Sequence, residues 1–70
     1  MPEIVFSKHV KERMLQRGIN EATVKDIILN SDYVRTSFGE RKIATKRIGR
    51  IWHVVFKEER KIVVISVYFD

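Results

Sequence analysis

The sequence predicts an α+β domain in which two N-terminal helices pack on one face of a four-stranded antiparallel meander sheet. Three observations carry this. Apolar residues recur at helical spacing as far as Asn30, and Val, Ile, Thr, Tyr and Phe dominate from Tyr33 onward. Turn residues then break the second half into stretches joined too tightly for a crossover helix, so neighbouring strands must run antiparallel.

The first helix is expected over Lys8 to Arg17. Ser7 offers a side-chain oxygen to an orphan backbone N–H, and Gly18 suits the left-handed position that closes a helix. Val10 and Met14, with Phe6 just before them, share one side, and Leu15 lies round the cylinder where it would meet a second neighbour. Asn20 caps the next helix, Glu21 favours its positive end, and Val24, Ile27 and Ile28 form the inward stripe before Asn30-Ser31 stops it. Four strands follow, roughly Tyr33 to Ser37, Arg41 to Ile48, Arg50 to Phe56 and Lys61 to Phe69, separated at Phe38-Gly39-Glu40, Ile48-Gly49 and Lys57-Glu58-Glu59. In the third strand Trp52, Val54 and Phe56 share one face and Ile51, His53 and Val55 the other. The last strand is apolar on both faces, which marks a central strand or one buried by a partner.

With 70 residues the chain makes one domain, 1–70, too small for a deep enclosed pocket. It has no cysteine, so disulfides and thiolate chemistry are excluded. Met1-Pro2-Glu3-Ile4-Val5-Phe6 shows no export signal, and no apolar run approaches the ~20 residues of a membrane span, so a soluble cytoplasmic protein is expected. Two histidines far apart and no Asp/Glu cluster at ligand spacing leave no metal or other cofactor expected.

Charge and helical spacing supply the functional expectations. His9, Arg13 and Arg17 stand four residues apart, so on a helix they form one ladder, with Gln16 in the same arc. Such a face suits a phosphate between two guanidiniums beside a group that exchanges protons near neutral pH. Residues 41 to 50 hold five basic residues and no acid, so the whole excess of the +5 net charge sits there. This stretch, with Arg41, Lys42, Lys46, Arg47 and Arg50, points to nucleic acid as partner, or to an edge strand protected by its charges.

The string His9-Val10-Lys11-Glu12-Arg13-Met14-Leu15-Gln16-Arg17-Gly18-Ile19, with the closing Val64-Ile65-Ser66-Val67-Tyr68, resembles a family of small bacterial domains of unknown function. That family's hallmark is a His-x-x-x-Arg-Met-x-x-Arg-Gly-Ile helix and a Val-Ile-Thr-Val-Tyr-like strand; Ser66 replaces the usual Thr and keeps its hydroxyl. In layout, charge and size the chain is also distantly similar to the BrnT and RelE types of toxin, small ribonucleases of toxin-antitoxin pairs. The resemblance marks His9, Arg13, Arg17 and Tyr68, and implies RNA as substrate and an antitoxin protein as partner.

For metal-independent RNA cleavage two proton carriers and a cation suffice. His9 fits the first carrier, Arg13 and a residue of the basic strand (Arg41, Lys42, Lys46 or Arg47) the charge stabilisers, Tyr68 or His53 the second carrier, and Arg17 with the basic strand the contacts to the chain. His9 and the basic strand are expected to face a common cleft. Structural roles compete: Arg13 pairing with Glu40 or Asp70, Arg17 on the helix dipole, His53 as a packed and satisfied side chain, Trp52 and Phe56 in the core. The rival to a toxin is a non-catalytic module that binds nucleic acid or pairs through its sheet, and a homodimer suits either.

Overall fold

The computed structural model describes residues 2–70. Its elements are β1 (Ile4–Phe6), α1 (Lys8–Gln16), α2 (Glu21–Leu29), β2 (Tyr33–Thr36), β3 (Arg41–Ile48), β4 (Arg50–Glu58) and β5 (Ile62–Phe69). The class is α+β with two helices, but the sheet has five strands in the order β1-β5-β4-β3-β2. β2 to β5 form the expected antiparallel meander, whereas β1 lies parallel to β5, pairing Ile4 with Ile62 and Phe6 with Val64. The all-antiparallel, four-stranded expectation is therefore corrected. A three-residue strand whose partner lies near the other end of the chain leaves no local periodicity to find.

Both helix starts form as their caps require, with Ser7 Oγ accepting from the Val10 N–H and Asn20 Oδ1 from the Thr23 N–H. α1 ends one residue before the expected boundary. Arg17 is the cap, Gly18 takes a φ of 69°, and the Ile19 and Gly18 N–H groups donate to the Met14 and Leu15 carbonyls. This is a Schellman closure, and Met14 and Ile19, the apolar residues at its two ends, are both buried.

The core lies between the helices and one sheet face: Val10, Met14, Ile19, Val24, Ile27 and Ile28 from above, and Ala44, Val54, Phe56, Ile62, Val64 and Val67 from below. Leu15 belongs to neither, being 83% exposed; among the described residues nothing covers it, so the second neighbour expected for it is not found there. The two-sided apolar character of β5 has a specific cause. Phe56 pairs with Val64 and Val55 with Ser66, so Ile65 is the extra residue of a bulge. The inward positions are thus Ile62 and Val64 before the bulge, and Val67 and Phe69 after it.

α2 is also tied to the sheet by charge. The Lys46 ammonium lies 2.8 Å from Asp26 and the Asn30 side chain donates to the same carboxylate at 2.8 Å. Lys46 first, and Asn30 second, hold the Asp26 carboxyl below its ordinary value of 3.8. A depressed folded-state value means that this stabilisation is complete above the ordinary range and is lost as pH falls through the lower folded value. The Asp26→Asn variant is therefore expected to unfold at lower urea than the parent at pH 7, with the two midpoints converging below pH ~4. A gap that widens on acidification would contradict this.

Candidate functional site

On α1 the four-residue ladder forms as its spacing requires. His9, Arg13 and Arg17 line one solvent-open cleft of about 170 Å³, with Ile65, Ser66 and Val67 of β5 on its other wall. Val10, Met14 and Ile19 complete it from the core side, so no carboxylate lines the cleft.

The cleft exists because β5 loses its neighbour. β1 stops at Phe6, opposite Val64, and the chain leaves through Ser7 into α1. Beyond Val64 no described strand pairs with that edge of β5. The Arg17 guanidinium instead donates to the Val67 carbonyl at 3.3 Å. A strand residue presents its N–H and C=O to the same side, so the Val67 N–H also points to this open edge. Three cationic or titratable side chains and one backbone donor thus converge on the same hollow.

Among the described residues neither Arg13 nor Arg17 forms an ion pair. The acids expected to pair with Arg13 are engaged elsewhere, Glu40 with Lys57 at 4.0 Å and Asp70 with His53 at 3.2 Å. The basic strand behaves differently. Lys42 is held 2.7 Å from Glu58 and Lys46 2.8 Å from Asp26, which offsets two of the five charges that the sequence places there. β3 is two strands away from β5, and none of Arg41, Lys42, Lys46, Arg47 or Arg50 lines the cleft. The common cleft expected for His9 and the basic strand is therefore corrected: charge in sequence does not report which strands become neighbours. One member does approach. Arg50 lies 4.5 Å over the Phe69 ring, two residues along β5 from the carbonyl that Arg17 holds.

Tyr68 and His53 are separated from His9 by the sheet. Val67 and Val54 point to the helices, so alternation puts Tyr68, His53, Thr45 and Tyr33 on the helix-free face, in register across four strands. His53 is 8% exposed. Its Nε2 lies 3.2 Å from an Asp70 carboxylate oxygen and its Nδ1 3.2 Å from the Thr45 hydroxyl, so both ring nitrogens have partners. The imidazole is packed and satisfied. Tyr68 stacks on it, ring centroids 4.7 Å apart and planes 21° from parallel. Neither ring lines the cleft with His9. Trp52 and Phe69 pack beside the core, and Phe56 within it.

Two contributors have no signal in the sequence: Ser66, which stands out there only as a departure from Thr, and the Val67 backbone. Their importance comes from the bulge and the open edge, and both arise from strand pairing. Among the described residues no group of three or more His, Asp or Glu is placed to hold a metal ion, and no helix is long and apolar enough to cross a membrane.

Residues 6–69 match the model of a protein family described as a domain of unknown function. No curated protein and no solved structure matches the chain.

Proposed function

The chain belongs to that family, DUF4258, and from this premise we propose that it binds RNA in the α1 cleft and cleaves it without metal, as the toxin of a toxin-antitoxin pair in the cytoplasm. The observation that carries the reading is the convergence of His9 with two unpaired guanidiniums on a hollow free of carboxylates. An anion is the natural occupant of such a site, and a phosphodiester brings both the charge and a neighbouring 2′-hydroxyl.

In the proposed step the neutral His9 imidazole takes the proton of the 2′-hydroxyl, whose oxygen attacks the adjacent phosphorus. Arg13, Arg17 and the Val67 N–H hold the charge on the crowded phosphate. The bond to the 5′-oxygen breaks, and the imidazolium returns the proton to that oxygen, leaving a 2′,3′-cyclic phosphate and a 5′-hydroxyl. One proton carrier serves both halves of the step. Arg50 continues the cationic track past Phe69, and an antitoxin with acidic side chains would silence the protein by covering α1.

A second reading has its own support: the basic strand is displaced from the cleft, and two guanidiniums on an open hollow suffice for a module that binds RNA without cutting it. A homodimer through the fully exposed strand β2 fits either. Induction in a bacterial host separates the two. Growth arrest with appearance of cyclic-phosphate RNA ends supports the nuclease, and salt-sensitive binding without new ends supports the module.

Both readings share one expectation. Arg13→Ala and Arg17→Ala should weaken binding to unrelated RNA sequences alike, and each should reduce the slope of log affinity against log salt by about one. Fluorescence anisotropy at several salt concentrations measures this. Slopes unchanged in both variants would remove the cleft from the interface.

A further inference from the structure

Tyr68 has one ring face against His53 and the other turned toward the side on which β5 has no neighbour. Its exposure is 36%, large for a ring already stacked. The residue before it, Val67, turns its backbone into the α1 cleft. A single strand therefore separates an anion-binding hollow on the helix side from an aromatic surface on the other. A nucleotide has matching dimensions, because its phosphate and base are joined through one sugar and lie less than about 10 Å apart, roughly the thickness of one covered sheet face.

We propose that the open edge of β5 is a nucleotide-binding step: the phosphate lies among His9, Arg13 and Arg17, and the base folds over the edge to stack on the outer face of Tyr68. This rests on the RNA reading above and deepens it, because it selects single-stranded chains. A base in a duplex is paired and stacked inside the helix and cannot reach across the strand. Every base has a flat face, so the step is tolerant of sequence. The bulge at Ile65 and Ser66 contributes by bringing Val67 to the edge just before Tyr68. Of the acids, Asp70 touches the stack, and its carboxylate is taken up by His53.

The role also explains why Tyr68 can matter without reaching His9: the ring orients the nucleotide, and its hydroxyl takes no part in proton transfer. Tyr68→Phe, which keeps the ring, should thus retain the preference for a base-bearing chain, while Tyr68→Ala should lose it.

The test uses three uncleavable 2′-O-methyl chains of equal length: oligouridylate, an abasic sugar-phosphate chain, and a duplex. Tyr68→Ala is expected to weaken oligouridylate binding roughly tenfold and to leave binding of the abasic chain and the duplex unchanged, while Arg17→Ala weakens all three. Circular dichroism confirms that each variant is folded, and Tyr68→Trp, which keeps a flat ring, should retain the preference if Tyr68→Ala does not fold. Equal affinity of parent and Tyr68→Ala for oligouridylate, or an equal loss on the abasic chain, would overturn the stacking step while leaving the RNA reading intact. If the parent binds none of the three chains at low salt, both fall.

Discussion

Replacing His9 with alanine should lower RNA cleavage by about two to four orders of magnitude, the contribution a positioned acid-base group makes. The reason is geometric. His9 is exposed near the start of α1, where its side chain holds no part of the core, and it is the one imidazole lining the cleft. Binding should change little, since Arg13, Arg17 and the Val67 edge still meet the phosphate. Added imidazole should restore part of the variant's rate. Single-turnover cleavage of a labelled RNA measures the loss and the rescue. An unchanged rate in the folded variant would remove the proton-transfer role.

Ile27→Ala should bring the protein close to its unfolding midpoint. Ile27 is 0% exposed and belongs to the stripe by which α2 meets β3 and β4. Removing buried methylenes from a site that collapses poorly costs about 2–5 kcal/mol. A chain of this length holds a total of roughly 4–10 kcal/mol, so one such truncation consumes a large share of it. Leu15→Ser is the contrast. Leu15 is apolar and one residue from Met14, yet its exposure puts the expected change within about 0.5 kcal/mol. Urea unfolding followed by circular dichroism measures both, and similar midpoints for the two variants would contradict the assignment of the core.

The contrast between Ile27 and Leu15 shows how far local pattern reaches. Helical spacing identifies residues that share a side, and caps at Ser7, Asn20 and Gly18 mark where the spacing starts and stops, because these depend on atoms within four or five residues. Leu15 is apolar yet exposed, and only the placement of α2 and the sheet shows that nothing among the described residues covers it. The strands β3 and β4 were legible for the same local reason, through alternation and turns. β1 was not, because Ile4-Val5-Phe6 becomes a strand only by meeting Ile62-Val63-Val64.

The candidate site divides along the same line. That His9, Arg13 and Arg17 would stand together was contained in their spacing, since the pitch of an α-helix is set by hydrogen bonds between residues four apart. What they would face was not. The open edge of β5 beside Val67, the bulge at Ile65, the capture of Lys42 and Lys46 by Glu58 and Asp26, and the separation of Tyr68 from His9 all depend on pairings distant in sequence. Those pairings are chosen by burial of the whole core at once, and so only the folded chain decides them.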